Sequence, residues 1–180
     1  MRIVKENTVA TIIDIQEKLF PVMEAKEDLL SNVQVLLEGL KILNIPVVFT
    51  QQYTKGLGDT VYAITEEIEN FQHIEKKTFS CCDEKAFSDK LAALNRQNVI
   101  ITGIETHVCI LQTAIDLLAK AYQPIIVEDC TSSRSLNDKN IAIERLRQEG
   151  AIITTTESIL FELTRISGNQ DFKDISQLIK

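Results

Sequence analysis

No stretch of this 180-residue sequence reaches the roughly 18 consecutive apolar residues that a membrane-spanning helix needs. A bilayer span is therefore not expected. The opening "MRIVKENTVATIIDIQ" has only a short apolar run, broken by threonine and ended by Asp14, with no small-residue cleavage site. It does not read as a secretory leader, and a cytoplasmic protein is expected. Basic charge is scarce. Lys and Arg number 19 against 26 Asp and Glu, a net charge of -7, with no basic cluster. Nucleic acid and anionic membranes attract cationic surface, so neither is expected as a partner. The four cysteines, at 81, 82, 109 and 130, lack the spacing of a disulfide framework and include no C-x-x-C. Free thiols are expected. The two histidines lie far apart in sequence, so no zinc site of His and Cys is expected. No linker, repeat or low-complexity segment interrupts residues 1–180, which read as one domain.

What is present is an alternation. Hydrophobic residues make up 44% and charged residues 25%, the profile of a chain with a real core. Apolar, β-branched runs fall at 8–15, 45–50, 71–75, 98–104, 124–129 and 151–156. Helical spacing of apolar residues falls at 27–43, 84–95, 109–121, 139–148 and 157–167. Several strand runs are apolar on both faces, as in a parallel sheet covered by helices on both sides. The expected fold is α/β: a three-layer α-β-α sandwich on an about six-stranded, mostly parallel sheet, Rossmann-like in class.

Ligands of open parallel sheets bind beyond the carboxyl ends of the strands. Four reactive places fall there. Asp14 ends the first run; it is either a shielded carboxylate or a helix cap. Lys76 and Lys77 follow the third run, in "IEKKTFSCC". An ammonium there would favour the charged forms of a carboxylate and a thiolate, although this motif taken alone reads first as a solvated lysine pair. In "GIETHVCI", Gly103 allows a tight turn, Thr106 is placed to cap a helix, and Cys109 falls in the first helical turn. The helix dipole there would lower a thiol pKa and make a nucleophile; the alternative is a small core residue. In "EDCTSSRS", Arg134 reads as the partner of a surface acid or of an anionic substrate. The segment 51–60, "QQYTKGLGDT", reads as an exposed functional loop.

Taken together, "TIIDIQEKLFPVM", "EKKTFSCC" and G-x-x-T-x-x-C in "GIETHVCI" resemble the isochorismatase-like cysteine hydrolases over roughly residues 6–166. "TQQYTKGLG" resembles the subgroup of isochorismatase-domain hydrolases whose substrates are mostly unassigned. The resemblance implies a catalytic triad of Asp14, Lys76 and Cys109. Lys76 is preferred to Lys77 because the family's lysine stands three positions before an aromatic, here Phe79. It implies a cis peptide between Ile104 and Glu105, and an oxyanion site formed by the backbone amides of Glu105 and Cys109. It implies a homo-oligomer, dimer or tetramer. Metal-dependent nicotinamidases of the family carry Asp-x-His after the second strand. The loop here has no histidine, so no metal and no cofactor are expected. Gln51 and Tyr53 are expected to line the pocket, with Phe20 and Phe79 as apolar walls and His107 as wall or surface. The implied reaction is hydrolysis of a small amide through a thioester. Two other readings remain open: a non-catalytic small-molecule-binding or scaffold domain of the same fold, and a nucleotide-binding oxidoreductase. Against the second, "IIDIQEKLFP" offers no G-x-G-x-x-G for a pyrophosphate.

Overall fold

A computed structural model describes residues 1–66 and 68–180. Six parallel strands form one sheet: β1 (Thr8–Ile13), β2 (Val47–Gln52), β3 (Ile74–Lys76), β4 (Asn98–Ile104), β5 (Gln123–Ser132) and β6 (Ile152–Thr154). Their order across the sheet is β3-β2-β1-β4-β5-β6. The chain builds outward from β1 in one direction, then returns to the middle with β4 and builds outward in the other. The β1/β4 boundary is therefore the topological switch point, where the connecting chain leaves in opposite directions.

The helices are α1 (Lys26–Ile42), the short α2 (Thr54–Leu57) and α3 (Tyr62–Thr65), α4 (Lys85–Leu94), α5 (Leu111–Ala119), α6 (Leu136–Glu149), α7 (Thr156–Thr164) and α8 (Gln170–Leu178). Because neighbouring strand residues point to opposite faces, each buried strand feeds two cores. Ala10, Ile12, Ile100 and Ile125 pack with Leu29, Leu36 and Leu40 of α1, Ile159 and Leu163 of α7, and Ile175 of α8. Val9, Ile13, Val99, Ile101 and Ile126 pack with Phe87 and Leu91 of α4, Leu117 of α5 and Leu146 of α6. This is the three-layer arrangement, with both faces of the sheet covered.

Three expectations are corrected. Residues 71–73 are not strand: β3 is only Ile74–Lys76, paired with Thr50–Gln52 at the sheet edge. Residues 51–60 are not an irregular loop. Gln51 and Gln52 finish β2, α2 follows, and Gln16 and Thr60 close an antiparallel bridge. The helix expected from Cys109 begins earlier, with a π-helical turn over Thr106–Ile110 that runs into α5.

Gly103 sits in β4 opposite Ile13, with φ +125°. A Cβ there would lie 2.0 Å from the Ile13 carbonyl oxygen. Only glycine lets β4 approach β1 this closely at the switch point. Gly103→Ala is expected to lower stability by about 2–3 kcal/mol in urea unfolding. An unchanged midpoint would show that the two strands can part at that spot.

Candidate active site

The end of β1 carries the first reactive group. Asp14 follows Ile13 in left-handed backbone geometry, φ 54°, which Asp tolerates better than most residues. Its amide donates to the Thr50 carbonyl at 3.3 Å. The Thr50 hydroxyl donates to Asp14 Oδ1 at 2.8 Å. Asp14 Oδ2 has no other hydrogen-bond donor among the described residues and faces the Lys76 ammonium at 2.6 Å. Both side chains are 0% exposed.

Lys76 ends β3 and Lys77 begins the next turn, so the alternation of an extended chain turns them apart. Lys76 is buried and Lys77 is exposed. Lys76 Nζ donates to Gln52 Oε1 at 2.6 Å and to the Thr78 and Phe79 carbonyls at 3.2 Å each. Its contact with Cys109 Sγ is 3.6 Å. Burial alone would lower the lysine pKa. The negative charge of Asp14 outweighs that and raises it. The ammonium is therefore fully charged at neutral pH.

Cys109 lies in the π-helical turn after β4 and is 6% exposed. Here the expectation of a lowered thiol pKa is reversed. Burial first, then the charge of Asp14, push the thiol up, and Lys76 only partly counters them. At rest the sulfur holds its proton beside a carboxylate. Thr106 does not cap the helix: its hydroxyl donates to the Ser132 carbonyl at 2.9 Å and ties the turn to β5. The Ile104–Glu105 peptide is cis. Glu105 Oε1 accepts from Arg134 Nε at 2.7 Å, so Arg134 pairs with an acid of this same turn.

The structure thus brings Asp14, Lys76 and Cys109 together from β1, β3 and the turn after β4. The expected pocket residues are placed less uniformly. Gln51 is buried, but its amide is taken up locally: Nε2 donates to Thr60 and Oε1 accepts from Thr54. It braces the segment after β2 and is not a wall. The Tyr53 amide donates to the Lys76 carbonyl and the Phe79 carbonyl accepts from Lys76 Nζ, but Tyr53 and Phe79 are 47% and 54% exposed, so neither is a buried wall. Phe20 packs half-buried against the α1 side of the sheet, whereas Cys109 belongs to the α4–α5 side. His107 Nδ1 lies 2.9 Å from the Ser133 hydroxyl. A cavity of about 690 Å³ lies elsewhere, between α1, β2 and α3, lined by Leu37, Phe49 and Ile64 among others. Two residues escaped the sequence reading, Thr50 and Gln52. Both are polar residues at the end of β2, beside β1 and β3, and that position is the signal that could have found them.

Among the described residues, no cluster of three His, Cys, Asp or Glu is placed to hold a metal ion. No helix of the described residues is long and apolar enough to cross a membrane. The remaining thiols are buried, and burial raises Cys81 from 9.0 to about 11, and Cys82 and Cys130 to about 12. A raised native pKa means that the folded chain holds the proton more tightly than the unfolded one. The resulting stability is complete below pH 9, where unfolded thiols are protonated, and drains as pH rises toward 11–12. The melting temperature is expected to be flat from pH 6 to 8 and to fall steeply between pH 9 and 11. A melting temperature that holds through pH 11 would contradict the burial of these thiols.

Comparison with known proteins agrees with the order of these elements. A family model described as "Isochorismatase domain" matches residues 8–158. Isochorismatase family protein 1B of Dictyostelium discoideum is 39% identical over 183 residues, covering 99% of this chain and 89% of that protein. The secreted isochorismatase effector Isc1 of Phytophthora sojae is 36% identical, covering 99% and 87%. Among solved structures, the MAR1 ribonuclease of Caenorhabditis elegans superposes with a TM-score of 0.93 at 37% identity, covering 99% of this chain and 92% of that one. With the switch-point sheet in place, and the matched span running from the first residue of β1 into α7, the chain belongs to the isochorismatase family.

Proposed function

We propose that this chain is a cysteine-dependent hydrolase of small amides, acting through a thioester on Cys109. The observation that carries this reading is the buried meeting of Asp14, Lys76 and Cys109 at the switch point. An ion pair sealed from water gains little net stability, because desolvation offsets the attraction. Placing one beside a thiol, at the switch point of the sheet, suits chemistry better than packing.

Asp14 serves as general base. The S–H bond of Cys109 breaks, an O–H bond forms on Asp14, and the sulfur attacks the carbonyl carbon of the amide. Lys76 stays charged throughout and orients both partners. The amides of Glu105 and Cys109 are assigned to the developing oxyanion, a contribution often worth about 3 kcal/mol. Asp14 returns its proton to the departing amine. Water, deprotonated by Asp14, then attacks the thioester, and Cys109 leaves as a thiol. The resting thiol is neutral, so ionisation is coupled to substrate binding. Tyr53 and Phe79, both exposed, contact the substrate outside the reacting carbonyl. A homo-oligomer, dimer or tetramer, is part of this proposal, and light scattering tests it.

The experiment is a screen of small primary amides for ammonia release, parent against Cys109→Ala, with RNA as a further substrate. The ribonuclease name belongs to the nematode relative. The net charge of -7 here gives little attraction for a polyphosphate backbone, and no RNA cleavage is expected. Ammonia released equally by both proteins would remove the nucleophile.

A further inference from the structure

The Lys76 ammonium has three protons, and two of them have short, fixed acceptors. One is Asp14 Oδ2 and the other is Gln52 Oε1, both at 2.6 Å. The third lies among the Thr78 and Phe79 carbonyls and the Cys109 sulfur. Gln52 is itself held at every polar atom. Its backbone N–H donates to Gln16 Oε1 at 2.7 Å, and its carbonyl accepts from Gln16 Nε2 at 3.0 Å. Its side-chain Nε2 donates to the Lys77 carbonyl at 3.0 Å. Only the amide nitrogen can donate to that carbonyl, so the oxygen is the end that meets Lys76. Gln16 is fully buried and also donates to the Gly58 carbonyl at 2.7 Å, which anchors the clamp in the segment after α2.

We propose that Gln52 is a positioning residue of this hydrolase: a neutral acceptor that fixes the Lys76 ammonium between Asp14 and Cys109 while leaving Asp14, among the described residues, the one carboxylate of the cluster, free to take the thiol proton. This rests on the cysteine-hydrolase reading above. The ionisable groups acting on Lys76 are Asp14 just after β1, Cys109 of the π-helical turn and Cys81 of the turn before α4. Those acting on Cys109 are Asp14, Lys76 and Cys81. With both thiols protonated, the cluster holds one positive and one negative charge. Moving the proton from sulfur to Asp14 keeps that count, so the transfer creates no net charge in a dry site. A second carboxylate at position 52 would set two anions on one cation. Like charges raise each other's proton affinity, so the second carboxylate would compete for the one cation and for the thiol proton.

The test is the rate of iodoacetamide alkylation of Cys109 in the full chain, read on the peptide that carries it, from pH 4.5 to 9. In the parent, the proton moves within the cluster. The rate is expected to rise through an acid limb and then stay level, where an ordinary thiol gains about tenfold per pH unit below its pKa. Gln52→Glu is expected to move the acid limb up by about one pH unit or more, a tenfold slowing within the limb. Gln52→Met adds no charge. Its limb is expected within about half a unit of the parent's, with a level rate lowered about fivefold because the ammonium is no longer fixed. A limb unmoved in Gln52→Glu, or moved equally by both variants, overturns the role of Gln52. A parent-like level rate in Gln52→Met overturns it too, and that variant alone decides if the glutamate variant does not fold. A parent rate that climbs tenfold per pH unit with no level region instead overturns Asp14 as base, and with it the hydrolase reading.

Discussion

Cys109→Ala is expected to abolish ammonia release, lowering turnover by about three orders of magnitude or more. The expectation is this large because no other group in the cluster can form the covalent intermediate. The Lys76 ammonium has no free electron pair, and the Asp14 carboxylate is engaged by Lys76 and Thr50 and is occupied as the base. Cys81 is the nearest alternative thiol. It is 0% exposed, contacts Thr50 Oγ1 at 3.9 Å and has its pKa raised to about 11, so it does not substitute. Folding should be little affected, because Cys109 is small and at the edge of its core. Far-UV circular dichroism of Cys109→Ala should match the parent, which separates lost chemistry from lost structure.

Lys76→Met is expected to cost about 3–5 kcal/mol of stability as well as activity. The stem of the side chain keeps its packing, but the Asp14 carboxylate is left buried with only the Thr50 hydroxyl as donor. Against a typical total of about 5–15 kcal/mol, that loss is large. The double variant Asp14→Asn with Lys76→Met removes both charges and should recover about 1–3 kcal/mol relative to the sum of the two singles in a urea-unfolding cycle. Strict additivity would mean that the pair does not act as a unit. No variant of the cycle that lacks the lysine is expected to turn over an amide.

How much of this was legible in the sequence differs by element. β4 reads as 98–104 and is Asn98–Ile104, because the apolar, β-branched residues Val99, Ile100 and Ile101 lead through Thr102 and Gly103 into the polar turn at Glu105. β3, expected over 71–75, starts three residues later and ends one residue later. It is an edge strand with one neighbour, and its register comes from pairing with Thr50–Gln52 and not from its own pattern. α8 was missed altogether: only Ile175 along it is buried, and its start is set by the Asn169 side chain accepting from the Phe172 amide. At the site, Asp14 and Cys109 were visible because each follows an apolar strand. The choice of Lys76 leaned on the family likeness, and the geometry supplies the physical reason, since Lys77 turns outward. Thr50 and Gln52 were invisible as chemistry because their roles arise only when β2 is laid between β1 and β3. The direction of the Cys109 pKa was misread for a related cause. A sequence shows the helix that follows the thiol, but not the carboxylate that another strand sets beside it.

The most direct measurement is the intact mass of the parent during turnover of an amide found in the screen, quenched within the first cycle and mapped by peptide. A mass gain equal to the acyl group, carried on Cys109 and matched one for one by released ammonia, is the predicted result. Ammonia released with no acyl group on the protein, or with the group on another residue, would contradict a thioester at the meeting point of Asp14, Lys76 and Cys109.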